Sequence, residues 1–186
     1  MPWRFFATAC RGPVSPSRVE TNSVPTYNRD DWQHWIDADG DCQDTRQEVL
    51  IEESLTPVVF VDARNCRVLT GTWRDAYSGT FYTDPGQLDV DHLVPLANEH
   101  LSGGWAWTRE QKRNYANDLI DRHHLIAVYL SLNRQKGSQT PATWRPPDRA
   151  AWCDYAKAWI GVKARWGLSV VAEEQAALVE MRVGCP

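Results

Sequence analysis

The chain predicts an α+β fold, and three observations carry that prediction. Short runs rich in strand-forming residues, 58–61, 67–73 and 79–82, are separated by turn-forming residues. Further on, Leu88-Asp89-Val90-Asp91-His92 reads as a strand, His124-Leu125-Ile126-Ala127-Val128 as its apolar partner, and Asn133-Arg134-Gln135-Lys136-Gly137 as the end of a short helix. The C-terminal part is different in period: Trp152, Tyr155, Ala156, Trp159 and Ile160 share one face of a helix. The expected architecture is a ββα core with additional strands and flanking helices.

Each element has a local reason. Asn28 is placed to cap a short helix running through Trp32 and Trp35 to Ile36. The acidic stretch that follows is a turn that caps the next helix, with Arg46 and Glu48 forming an internal ion pair. Asp62-Ala63-Arg64-Asn65 makes the first turn between strands, and Tyr77-Ser78-Gly79 the second. Pro95 fits the end of a regular strand ladder. Thr108 caps a helix over 109–118, and Asp148 opens the long helix that ends at Gly167. The last helix spans 172–181. The tryptophans on the long helix are core residues, because packing alone requires such a stripe.

With 186 residues, 42% of them hydrophobic, and ten Trp, the chain can bury a sizeable core. No apolar stretch approaches the ~18–20 residues of a membrane span. The formal charge of −4 is awkward for a nucleic-acid binder, so positive charge must be local. Arg109, Lys112 and Arg113 fall on one helix, while Arg134, Lys136 and Arg145 flank the 133–137 segment. The five cysteines include no CxxC, which argues against a zinc knuckle. Their separations allow two local disulfides, Cys42–Cys66 and Cys153–Cys185, leaving Cys10 over. Residues 1–26 read as a mobile tail or a signal remnant, since 11–26 hold three Pro and three Ser. Residues 27–186 are expected to form the functional domain, as a monomer.

The chemistry points to one place. Asp91 and the side-chain oxygen of Asn133 are hard ligands, suited to Mg²⁺ first, then Mn²⁺ or Ca²⁺. A hard cation on a phosphate oxygen neutralises the charge that repels nucleophiles from a phosphodiester. His92, next to Asp91, can take a proton from water if it is neutral near pH 7. Neighbours in a strand face opposite sides, so the chain is expected to turn or bulge at 91–92 to bring both to one site.

Several motifs resemble those of the HNH endonucleases of the ββα-metal type, in particular their secreted bacterial branch. They are Asp-Cys-Gln-Asp-Thr-Arg-Gln-Glu-Val-Leu at 41–50, Asp-Val-Asp-His-Leu-Val-Pro-Leu at 89–96, His-Leu-Ile-Ala-Val at 124–128, Asn-Arg-Gln-Lys-Gly at 133–137 and Pro-Ala-Thr-Trp-Arg-Pro-Pro at 141–147. The resemblance covers roughly 28–185 and implies a secreted or periplasmic, metal-dependent nuclease of low sequence specificity. It maps the metal acid to Asp91, the general base to His92, the middle position to His124 and the last to Asn133, so the chain reads His-His-Asn. His124 would orient the base or touch phosphate, and Arg134 and Lys136 would meet substrate. The partner it implies is DNA, with RNA as a second substrate. The competing class is a catalytically silent nucleic-acid- or calcium-binding module on the same scaffold. For the latter, Asp37, Asp39 and Asp41, with Glu48 in the twelfth position, imitate a calcium loop, although Cys42 stands in the sixth position, where glycine belongs.

Overall fold

Antiparallel pairing between distant segments organises the protein, whose computed structural model describes residues 24–185. Cys10 and most of the expected tail lie outside the described residues. Strand β1 (Val59–Phe60) pairs with β2 (Val68–Thr70), and β3 (Trp73–Arg74) pairs with β4 (Phe81–Tyr82). The longest ladder joins β5 (Leu88–His92) to β6 (Leu125–Tyr129), with Leu88 opposite Tyr129 and His92 opposite Leu125. The helices are α1 (Thr45–Glu52), α2 (Leu96–Leu101), α3 (Arg109–Ala116), α4 (Leu130–Lys136), α5 (Trp152–Trp166) and α6 (Ala172–Met181). The fold is α+β, as the sequence predicts.

Local chemistry sets the boundaries. Asp44 accepts from the Gln47 amide at 2.9 Å and starts α1. Thr108 and Gln111 form a reciprocal capping box at α3. Asp148 caps a single 3-10 turn, Arg149–Ala151, that runs into α5, and Gly167 ends α5 in the left-handed conformation, φ 67°. Two expectations fail. Asn28 does cap, but only the 3-10 turn Arg29–Asp31 follows, and Trp35 then adopts φ 57°, which no helix through Ile36 could contain. The expected strand 67–73 is split at Gly71, where a Cβ would come within 2.7 Å of the Ser54 hydroxyl and the Trp73 ring. Helix α2 was not expected.

The hairpin of β5 and β6 lies between two apolar layers, because alternate side chains leave opposite faces. Leu88, Val90, Leu125 and Ala127 pack with Val49, Leu50 and Trp73. Ile126 and Val128 pack with Tyr77, Tyr155 and Trp159. Burying each large apolar side chain contributes roughly 1.5–3 kcal/mol. The edge of β6 is closed by carboxylates: the Ala127 amide donates to Glu53 at 2.8 Å and the Tyr129 amide to Asp75 at 3.1 Å. Burial pushes Glu53 up to about 7. Arg46 donates to the carbonyls of Pro85 and Leu88 at 3.0 and 3.1 Å, holding α1 against the start of β5. The expected Arg46–Glu48 pair is absent, since the guanidinium is committed to those carbonyls.

Disulfides join Cys42 to Cys66 and Cys153 to Cys185. Each is a local staple and contributes on the order of 3–4 kcal/mol by loop-entropy reasoning. A buried pair, Lys163 and Glu174 at 2.8 Å, ties α5 to α6, with Ser102 accepting from the same ammonium at 2.9 Å. No helix among the described residues is long and apolar enough to cross a membrane.

Candidate active site

The end of α3 explains how two imidazoles come together. The last carbonyls of a helix have no intrahelical partner. The Ala116 carbonyl accepts from His92 Nε2 at 2.9 Å, and the Tyr115 carbonyl accepts from His124 Nε2 at 2.8 Å. A nitrogen that donates to a carbonyl carries the proton, so in each neutral ring Nδ1 holds the lone pair. Burial holds His92 well below the usual histidine range, and the charges of His124, His34 and Arg29 act in the same direction. His92 is therefore neutral at pH 7, with an Nδ1 that has no hydrogen-bond partner among the described residues. Trp35 lies over the ring at 5.5 Å, and His34 stands edge-on at 6.3 Å.

His124 is deeper. It is 1% exposed, it is pushed down to about 4 by burial, and its Nδ1 stands 4.0 Å from Asp118 Oδ2. Its ring packs edge-on against Tyr115 at 4.4 Å. In this structure it supports the carbonyl row that holds His92, from behind the site.

Asp89, Asp91 and α4 occupy the other face of the hairpin. Asn133 and Lys136 are three residues apart and share one side of α4. They meet two acids two residues apart on β5: Asn133 Nδ2 donates to Asp89 at 3.2 Å, and Lys136 Nζ contacts Asp91 Oδ2 at 2.8 Å. The Tyr77 hydroxyl also donates to Asp91, at 2.5 Å. Burial raises the Asp91 pKa and lowers that of Lys136, and each shift is countered by the opposite charge beside it. Lys136 further donates to the His92 carbonyl at 3.0 Å, so one ammonium ties down the end of β5. A cavity of about 480 Å³ opens on this side, lined in part by Tyr77, Leu93, Arg74, Tyr155 and Lys157.

Several expected arrangements are revised. The strand neither turns nor bulges at 91–92; pairing continues to Leu125, and the Leu93 amide donates to the His124 carbonyl. Asp91 and His92 thus leave opposite faces. Asn133 meets Asp89, while Asp91 is engaged by Tyr77 and Lys136. Lys136, expected to meet substrate, is 0% exposed in its ion pair. Arg134 is exposed, with Nε 3.9 Å from Asp89. Arg145 is tied to Glu180 by two bonds of 2.9 and 2.8 Å, and Lys112 is buried over Trp32 at 5.3 Å. Arg29, His34 and Trp35 were missed as site residues, because only the fold brings them to His92.

The acidic loop is formed as a tight turn beside the Cys42–Cys66 bridge. Carboxylate oxygens of Asp37, Asp39 and Asp41 lie within 4.8 Å of one another and are exposed. Asp37 also accepts from the amides of Gly40 and Cys42, at 2.8 and 3.0 Å.

An antiparallel strand pair with a helix against one face carries Asp-His at a strand end and Asn-Lys on the helix. Residues 44–181 match the C-terminal domain of GmrSD restriction endonucleases, and the chain belongs to that family, which makes this a nuclease-type domain. It is also 40% identical, over 159 residues, to an uncharacterized secreted protein of the fungus Arthroderma benhamiae; the match covers 86% of this chain and 76% of the relative. The likeness is thus not confined to bacteria. No solved structure matches the chain.

Proposed function

We propose that the protein is a secreted endonuclease that hydrolyses phosphodiester bonds of DNA, and of RNA as a second substrate, with a divalent cation and little sequence specificity. One observation carries the reading: His92 is held neutral, with Nε2 fixed on the Ala116 carbonyl and Nδ1 left as a lone pair. That is the state a general base needs. His92 takes the proton of the attacking water, and the Ala116 carbonyl stabilises the imidazolium that results. His124 keeps the carbonyl row in place.

The donors on the other face fit a hard cation in kind, being two carboxylates and a carboxamide. Asp91 and Asn133 would hold it, with Asp89 beside Asn133; Asp91 must then share its oxygens with Lys136 and Tyr77. Mg²⁺ is the first choice for such hard donors, and Mn²⁺ or Ca²⁺ offer the same hard chemistry. Bound there, the ion would supply charge to neutralise a phosphate oxygen; for it and His92 to meet one phosphodiester, the end of β5 must depart from the regular ladder in which their side chains leave opposite faces. Arg134 is an exposed cation beside Asp89 for a flanking phosphate. Family membership supports the nuclease class. The two disulfides and the secreted relative support work outside the cell.

The test is nicking of supercoiled plasmid with Mg²⁺, with and without excess EDTA. Nicking should require the metal, and Asp91→Ala and Asn133→Ala should each raise the metal concentration needed. Undiminished cleavage in EDTA would sink the reading; duplex binding without cleavage under any divalent ion would favour the silent module.

A further inference from the structure

An acidic chain must hold a phosphate beside His92, and most cations near the site are already committed. Lys136 is buried on Asp91, Arg145 is bound to Glu180, and Lys112 lies over Trp32. Arg29 differs. It is exposed, and its Nη2 lies 3.2 Å from His34 Nε2. His34 Nδ1 is 2.7 Å from the Trp32 carbonyl, so Nδ1 carries the proton and Nε2 accepts from the guanidinium. The His34 ring stands 6.3 Å from His92 on the side where Trp35 covers the base. Trp35 reaches that position through a left-handed backbone, φ 57°, which is strained for a non-glycine residue and recurs at binding sites.

We propose that Arg29, aimed by His34, binds the non-bridging oxygens of the phosphodiester at the His92 site. The inference rests on the nuclease reading. A guanidinium has five N–H donors in a fixed fork, so contacts with His34 and the Tyr27 side chain still leave donors for phosphate oxygens. His34 is a positioning residue: it accepts from Arg29 and does not itself meet substrate. The segment also lies before residue 44, outside the family match, so this chain supplies the phosphate contact from sequence that precedes the family domain.

The experiment compares Arg29→Ala, Arg29→Lys, His34→Ala and His34→Gln in the full chain. It measures kcat/KM for nicking, and duplex affinity against salt in the His92→Ala background, where cleavage is blocked. Losing one charge-assisted contact should lower kcat/KM about 10–100-fold in Arg29→Ala. The slope of log affinity against log salt should become shallower by about 0.9, the value for one phosphate contact on B-DNA. Arg29→Lys should keep the slope and recover part of the rate. His34→Ala should keep the slope and lower the rate, with recovery in His34→Gln, which restores an acceptor. Thermal unfolding of each variant separates misfolding from lost contact. Wild-type kcat/KM in Arg29→Ala, or a loss of rate with an unchanged salt slope, overturns the proposal. A wild-type chain that neither binds nor nicks a duplex instead defeats the nuclease reading on which it stands.

Discussion

The two faces of the β5–β6 hairpin treat charge in opposite ways. On the α4 side, two acids on the strand are met by an amide and an ammonium on the helix, and Asp91 is almost fully enclosed with Lys136 and Tyr77. On the α3 side, the polar groups are neutral imidazoles tied by one nitrogen each to the end of a helix. The first arrangement is closed: every strong group has a partner, and removing one strands another. The second leaves the Nδ1 of both rings without a hydrogen bond, that of His124 deeply buried and that of His92 nearer the surface. Rigidity and reactivity are thus divided between the faces of a five-residue ladder. Lys136 joins them, because it binds the Asp91 side chain on one face and the carbonyl of His92, whose ring lies on the other.

The largest expected effect breaks the open face. His92→Ala should lower nicking by about 10²–10⁴-fold, the usual worth of a general base. Duplex and metal binding should be nearly unchanged, because the carboxylate face is untouched. The pH profile sharpens the point. A histidine held below its usual range is protonated only at more acid pH, so kcat/KM should stay level through pH 6.5 and fall below it. An acid limb centred above 6.5, or activity retained in His92→Ala, would remove His92 from the role.

The closed face should answer with stability. Lys136→Met leaves Asp91 buried without its cation, and breaking such a pair costs about 3–5 kcal/mol. Replacing both, Lys136→Met with Asp91→Leu, should recover much of that loss, since two apolar groups leave no charge behind. Urea unfolding of the single and double variants decides it. Equal stability of Lys136→Met and wild type would mean that Asp91 does not depend on the ammonium.

The difference between the faces marks how far the sequence could be read. Hydrophobic period and turn chemistry located β5, β6 and the caps at Thr108 and Asp148, because those signals are local; the cysteine separations, with the family resemblance favouring export, gave both disulfides. The i, i+3 spacing of Asn133 and Lys136 placed them on one helix face, but it could not say which acid each would meet. That pairing depends on the two-residue rise along β5 against the three-residue spacing on α4. The ladder's regularity through His92 was also illegible, because serving one site seemed to demand a bulge. Arg29, His34 and Trp35 are more than fifty residues from His92 in the chain. Their convergence follows from tertiary packing and from a left-handed Trp35, which nothing in a tryptophan announces.

The smallest effect concerns the hairpin's outer edge, where neither face is disturbed. Glu53 accepts from the Ala127 amide, and its pKa is raised from 4.5 to about 7, chiefly by burial. The folded state therefore holds this proton more tightly than the unfolded chain does. The stability this contributes is complete below about pH 4.5 and is lost as pH rises through about 7. From the size of the shift, the loss is at most about 3 kcal/mol, and less where water reaches the carboxyl. Glu53→Gln keeps an oxygen for Ala127 and removes the titration. The difference in unfolding free energy between this variant and wild type should then grow from pH 4.5 to pH 7.5, with the variant gaining on wild type at the alkaline end. Nicking at fixed pH should be unaffected, because Glu53 touches the edge of β6 and neither His92 nor Asp91. A difference that does not change with pH would mean that Glu53 is ionised in the fold across this range and that the edge of β6 is closed by a charged acceptor.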